Sequence, residues 1–182
     1  VEPVEINAGT CYLRGFRADE LMDDRPALVE GFADAECRRW LPFIRVGSLV
    51  EAGEYVERRR AEWVEETRLS WVAAEPTTGR FLAEVLIKGL DLARGVGEVG
   101  YWAHPVARGR GVVTDAVGAV VRFGFGGLGL RELTCTVGVG NTASLRVAER
   151  VGFTSLREID DTWVLVMRNP RVDPDVVRGE TV

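Results

Sequence analysis

One segment constrains this chain more than any other: Gly97-Glu98-Val99-Gly100-Tyr101-Trp102-Ala103-His104-Pro105-Val106-Ala107-Arg108-Gly109-Arg110-Gly111-Val112-Val113-Thr114-Asp115-Ala116. Residues 97–104 read as a strand. Val113, Ala116, Val117, Val120 and Gly124 then recur at helical spacing, so a helix starts near Val112. The junction, Arg108-Gly109-Arg110-Gly111, is basic and glycine-rich. Glycine lets a backbone turn tightly and approach a ligand closely. A helix start leaves unpaired N–H groups and the positive end of its dipole facing that turn. Strand, turn and helix start together suit a phosphate group, and two arginines add charge.

Two familiar phosphate loops do not fit. A Walker-type loop needs Gly-Lys-Ser/Thr, whereas Gly111 is followed by Val112 and Val113. A dinucleotide fingerprint begun at Gly109 would end on Thr114 instead of glycine. A solvated basic turn is the remaining plain alternative.

The run 100–116 resembles the pyrophosphate-loop motif of the GNAT acyltransferases, whose pattern is [Gln/Arg]-x-x-Gly-x-[Gly/Ala]. Here it reads Arg108-Gly109-Arg110-Gly111-Val112-Val113, departing at the last position. A second run, Asn141-Thr142-Ala143-Ser144-Leu145-Arg146-Val147-Ala148-Glu149-Arg150-Val151-Gly152-Phe153, resembles the branch containing the ribosomal-protein N-terminal acetyltransferases. The two motifs stand in family order, and the resemblance covers roughly residues 10–168.

With 182 residues, 46% of them hydrophobic, the chain suits one domain with its own core. We read residues 1–168 as that domain and 169–182 as a loose polar tail. The net charge of −5 argues against a sequence-independent nucleic-acid binder, including one built on the Arg-Gly-Arg-Gly turn. Cys11, Cys37 and Cys135 are scattered, so reduced thiols and a cytoplasmic location are expected. His104 is the single histidine, and no metal-ligand spacing occurs. The first residues lack the pattern of a signal peptide, and no apolar run is long enough for a membrane span.

Along the chain, 10–17 reads as a first strand and 24–40 as a helix capped by Asp24, with Pro26 in its first turn. Ser48-Leu49-Val50-Glu51 is a capping-box pattern opening a helix to about Thr67. Arg58-Arg59-Arg60 on that helix reads as a solvated face. Residues 71–74 and 81–87 form a hairpin around Pro76-Thr77-Thr78-Gly79. Gly100 suggests a bulge or a close backbone approach in the strand 97–104. A strand at 133–137, a helix at 142–151 and strands at 154–160 and 163–167 complete the order. The pattern predicts a mixed α/β (α+β) layer fold around one sheet. The resemblance implies a mostly antiparallel sheet flanked by helices, with strands 97–104 and 131–138 splayed to admit pantetheine.

It also implies acetyl-CoA as cosubstrate, held by Arg108, Gly109, Arg110, Gly111, Val112, Val113, Thr114 and Asn141, with backbone contacts at Trp102 and Ala103. Acyl transfer to an amine needs a neutral amine, a stabilised oxyanion and a proton for the leaving thiolate. The usual family acid, a tyrosine seven residues after the motif asparagine, is replaced by Ala148. Ser144 matches the branch's serine beside the thiol; it is either that contact or a helix cap. Candidate bases are Glu98 and Asp160, with Glu84 behind them; each also reads as an ordinary strand charge. His104 reads as a turn residue and Cys135 as core.

The expected activity is N-acyl transfer from acetyl-CoA to a primary amine in a ternary complex. The acceptor is a protein N-terminus or a small metabolite or antibiotic, in a pocket walled by 41–50 and 158–163. The expected state is monomer or homodimer, and the rival function is a non-catalytic CoA-binding module.

Overall fold

Eight strands form one sheet in the order β1-β2-β3-β4-β5-β6-β8-β7. They are β1 (Ile6–Asn7), β2 (Tyr12–Arg14), β3 (Arg68–Ala74), β4 (Phe81–Asp91), β5 (Val96–Ala103), β6 (Glu132–Gly138), β7 (Thr154–Ile159) and β8 (Thr162–Arg168). The structure is a computed structural model, and it describes residues 3–172 apart from the side chains of Ser155 and Leu156. All neighbouring strands run antiparallel except β5 and β6. A parallel pair needs a crossover, and α4 (Val112–Gly126) supplies it.

The sheet buries both faces. On one lie α1 (Arg25–Ala33), α2 (Ala35–Trp40) and α3 (Leu49–Val64). Here Phe32, Tyr55 and Val56 pack with Val72, Ala74, Phe81 and Trp102. On the other lie α4 and α5 (Thr142–Val151), with Val117 and Val120 packed among Val85, Ile87, Val99 and Leu133. Residues 81–87 of β4 are therefore buried throughout, and their apolar run is nearly unbroken. The break is Glu84.

The registers explain the opening in the sheet. Strand β4 pairs with β5 as far as Ala83↔Ala103. Strand β5 pairs with β6 only from Val96↔Glu132 to Val99↔Cys135, while β6 continues along β8 to Gly138↔Thr162. From residue 100 onward, β5 has lost its neighbour on one side. This is the expected splay between the two strands.

Several expectations change. The helix 24–40 is two helices, because Asp34 is extended (φ −64°, ψ 140°) and its carboxylate accepts from the Glu36 and Cys37 N–H groups. A capping side chain in mid-segment starts a new helix. Asp24 occupies the N-cap position of α1 but does not cap it. Its carboxylate instead takes two 2.8 Å hydrogen bonds from Arg14 and one from the Arg17 N–H. Gly100 makes no bulge; the β4–β5 irregularity lies between Lys88 and Asp91. Gly100 is a close approach, since a Cβ there would stand 3.1 Å from Leu86. The first strand is short, with an additional β1 paired to it. Helix α3 stops at Val64. The supposed tail begins packed: Asn169 is buried and its Nδ2 donates to Leu130 O at 2.8 Å. Residues 173–182 of that tail lie outside the described residues.

The Arg14–Asp24 pair ties β2 to the start of α1 inside the protein, both side chains being almost fully buried. Removing one partner of a buried pair leaves a charge without compensation. Asp24→Asn should therefore cost about 3–5 kcal/mol of stability. Urea unfolding monitored by tryptophan fluorescence measures it.

Candidate active site

Strand β5 ends in a 3-10 turn, Pro105–Ala107, entered at His104, whose Nδ1 accepts from the Val106 N–H. The chain then passes Gly109 (φ +73°) and Gly111 (φ +78°) into α4. A side chain strains a backbone in this left-handed region, so the turn needs glycine. Nothing lies within 4 Å of where either Cβ would be, so both glycines face open space. No side chain caps α4, and its first internal bond runs from Asp115 N–H to Gly111 O. The N–H groups of Val112, Val113 and Thr114 thus have no intrahelical acceptor. The cradle read from the sequence fits a pyrophosphate group: open, uncapped and at the positive end of a 15-residue helix.

The two arginines of the turn differ. Arg108 is already held: its guanidinium bonds the Asp34 carboxylate at the start of α2 and lies 3.8 Å from Cys37 Sγ. That bond keeps Asp34 below the usual carboxylate range. Among the described residues, Arg110 makes only a 3.5 Å contact to Val106 O. A groove of about 300 Å³ continues along α4 past Thr114 and Gly118 to Arg122 and, on α5, Arg150. No sequence signal singled out those two cations.

Across the splay, Asn141 is the N-cap of α5, its Oδ1 accepting from Ser144 N–H at 3.1 Å. The cofactor role read for Asn141 is thereby taken up, for that oxygen, by capping. Ser144 is not the cap, and its hydroxyl makes no hydrogen bond among the described residues. Its carbonyl accepts from Tyr101 Oη at 2.8 Å. Tyr101, which sequence reasoning missed, therefore bridges β5 to α5 over the gap and also meets Cys135 Sγ at 3.8 Å. Burial pushes the Cys135 thiol up to about 11 and the Tyr101 phenol higher still. Cys135 is core, as read.

The opposite face carries the candidate bases. Glu98 sits beside Lys88, 3.1 Å away, and pairs in register with Thr134. Glu84 is fully buried and spoken for. It accepts from Tyr55 Oη (2.6 Å), Trp102 Nε1 (2.8 Å) and Arg68 Nη2 (2.9 Å), a structural role that removes it as a base. The Trp102 side chain is core: its ring lies 4.5 Å from Phe32, and a Cβ on Gly31 would strike it. Only backbone at Trp102 and Ala103 can serve the gap, and the Ala103 carbonyl lies 3.9 Å from Cys37 Sγ. Asp160 occupies the β7–β8 turn (φ +47°), next to Val139 through the Val139 N–H to Asp161 O bond. Val139, just past the end of β6, is five residues on from Thr134, so Glu98 and Asp160 stand about 17 Å apart along the strand direction and do not form a pair.

A second cleft, of about 400 Å³, opens on this face. Phe43, Ile44 and Arg45 follow α2; Tyr55, Arg58 and Arg59 come from α3, and Arg68 from β3. Residues 43–45 of the 41–50 loop line this cleft, while the 158–163 turn, expected to share a pocket with that loop, stands apart at the end of β6. Trp40 spans toward that end, since a Cβ on Gly138 would lie 3.0 Å from its ring. Arg59 overturns the reading of residues 58–60 as a solvated face. It is buried, 4.6 Å over the Tyr55 ring and 3.2 Å from Glu62. No group of three or more His, Cys, Asp or Glu among the described residues could hold a metal ion.

A family model for the acetyltransferase (GNAT) domain matches residues 12–154. The chain belongs to the GNAT acetyltransferases, a family of acetyl-CoA-dependent N-acetyltransferases. The Bacillus subtilis protein YdaF, named as a candidate ribosomal N-acetyltransferase, is 31% identical over 75 residues; that match covers 41% of each chain. The ribosomal-protein-S5-alanine acetyltransferase of Vibrio fischeri superposes with a TM-score of 0.77 at 14% identity, covering 94% of this chain and all of that one. Mycobacterium smegmatis RimJ, solved with a CoA-disulfide, gives 0.75 at 22% identity, covering 94% and 88%. The GNAT fold with its splay, expected from the two motifs, is the fold observed.

Two outcomes follow. Gly111→Glu sets a carboxylate and a strained backbone in the cradle. Losing one or two charged hydrogen bonds of about 1.5–3 kcal/mol each should weaken CoA binding roughly tenfold or more, read by calorimetry, while circular dichroism keeps the fold. His104 is buried, and burial depresses its pKa below 6.5 against a smaller opposing pull from Glu30. The folded protein therefore favours neutral His104. Its contribution is complete above the unfolded pKa and is lost as pH falls through the depressed folded value. Urea midpoints between pH 7.5 and 5 should fall more in the wild type than in His104→Gln.

Proposed function

We propose that this chain transfers an acetyl group from acetyl-CoA directly to a primary amine, either a protein N-terminus or a small metabolite or antibiotic. The observation that carries the reading is the conjunction of the uncapped glycine cradle with a strand whose partner leaves it from residue 100. Acetyl-CoA, when bound, supplies the acetyl group as a thioester, which is activated toward amines. The pyrophosphate would rest on backbone N–H groups from Gly109 to Thr114, the Arg108 N–H being taken by Pro105 O, with Arg110 supplying charge. Arg108 contributes there only to the extent that its Asp34 contact yields.

The remaining work falls to this chain's own groups. The unpaired edge of β5, around Trp102 and Ala103, offers fixed backbone dipoles for charge developing on the carbonyl oxygen. Such preorganised donors act most strongly away from water. Ser144 brings a hydroxyl with no competing partner to the thiol side, close to the Tyr101 bridge. Glu98, on the other face, is the base we favour, because it stands where pairing with β6 ends. Asp160 is the alternative at the far end of the gap. The separation of thiol-side and amine-side groups on opposite faces supports direct transfer through the splay. Ala148, in place of the usual tyrosine, keeps a non-catalytic CoA-binding module as the second reading.

Thiol release from acetyl-CoA across a panel of peptides and small amines separates the two readings; no turnover with any amine defeats the first. Ser144→Ala should lower kcat and kcat/KM alike, because a contact made as charge develops affects both. Its unfolding midpoint should hardly move, because Asn141 carries the cap. Glu98→Gln should erase the acidic limb of the pH–rate profile, which reports the group that must lose a proton. If Asp160→Asn erases it instead, the base is reassigned.

A further inference from the structure

The cleft on the α3 face has an unusual charge for this molecule. The chain carries a net charge of −5, yet four of the seven residues lining the cleft are arginines and none is acidic. Two carboxylates answer them from behind. Glu62 stands 3.2 Å from Arg59 and 3.8 Å from Arg68, and Glu84 stands 2.9 Å from Arg68. Arg45 and Arg58 have no ion pair among the described residues; Arg58 lies 5.5 Å over the Tyr55 ring. The cleft therefore keeps an excess of two guanidiniums. Arg59 is only 5% exposed, and its guanidinium is spent on Glu62, with Nη2 donating to Glu62 Oε1 at 3.2 Å. Guanidinium groups match carboxylate and phosphate oxygens in planar, two-pronged geometry.

The location joins this charge to the amine side of the site. Arg68 pairs in register with Lys88, and Lys88 with Glu98. One row across the sheet thus runs Arg68, Lys88, Glu98. Two strand spacings separate its ends, about 10 Å. The row closes on the Lys88–Glu98 ion pair, and the splay opens immediately beyond Glu98 and Val99. An acceptor whose amine enters the splay would have its far end over the arginines.

We infer that the acceptor is an anionic amine, carrying a carboxylate or phosphate about 10 Å from the reacting nitrogen, held in this cleft by Arg45 and Arg58. The inference rests on the transferase reading above. An extended peptide rises about 3.4 Å per residue, so in a peptide the anion belongs near the third residue. A small aminoalkyl phosphate of similar length presents the same chemistry.

The test compares Ala-Ala-Glu-amide with Ala-Ala-Gln-amide and with 6-aminohexyl phosphate. The acidic peptide or the phosphate should show kcat/KM at least about tenfold above the neutral peptide at low salt, and the gap should narrow as salt screens it. A lead for the phosphate over the acidic peptide identifies a small-molecule source. In the double variant Arg45→Gln/Arg58→Gln the acidic-to-neutral ratio should collapse toward one, with the fold intact by circular dichroism. Equal rates for acidic and neutral acceptors in the wild type overturn the inference and leave the transferase reading standing. Calorimetry with acetyl-Ala-Ala-Glu-amide, which cannot react, gives an answer free of turnover. Binding that the double variant loses supports the anion site even if no amine is acetylated, and no binding to the wild type overturns it.

Discussion

The end of pairing between β5 and β6 is the constraint on which the rest depends. Backbone N–H and C=O groups rarely stay buried without partners. Two strands that part inside a sheet must therefore be held apart and the gap lined. Here three devices do this. Tyr101 reaches from β5 to the first turn of α5, Trp40 lies against Gly138 at the end of β6, and the β7–β8 turn bonds Val139. The gap lets an extended ligand pair with a strand in the interior of the sheet, and the glycine cradle stands at its mouth. Cofactor loop and splay are thus consequences of one topology, a parallel pair joined by α4.

The face that carries the arginine-lined cleft is organised by a buried carboxylate. Glu84 takes three hydrogen bonds, from α3, β3 and β5, and so joins the helix that carries the cleft arginines to the strand that borders the gap. A buried carboxylate is tolerable only when its oxygens are satisfied, and a fully satisfied network is stiff. Arg68 belongs both to this network and to the cleft. Holding Arg68 against Glu84 prepares the cleft without a bound anion. On the same face, Asp34 and Arg108 tie α2 to the glycine turn, so a phosphate that draws on Arg108 acts on the helix leading to the 41–50 loop.

Local pattern made some parts legible. Gly109 and Gly111 sit where φ must be positive, and the turn–helix junction around them was readable because left-handed backbone excludes most side chains. The capping pattern Ser48–Glu51 and the helix stop at Gly152 are equally local. Ser144 was ambiguous between cap and thiol contact, because both roles favour serine in a first turn; the cap reading falls once Asn141 Oδ1 occupies the Ser144 N–H. Asp24 misled for a similar reason. Its position invites a cap, but a partner ten residues back, Arg14, claims both its oxygens. Asp34 was passed over because an aspartate within an apolar-periodic stretch reads as a surface residue.

By itself, the sequence determined the order of elements from residue 48 onward, the glycine cradle and membership of the GNAT family, since each depends on residues close together in the chain and on backbone conformations that few residue types allow. Only the tertiary structure decided which charges are free to act. Arg108 is bound by a residue 74 positions away, Arg59 is buried against Tyr55, Glu84 is consumed, and Glu98 and Asp160 are kept apart. Charge acts through space and through solvent exclusion, and neither distance nor burial is written in the spacing of residues along a chain.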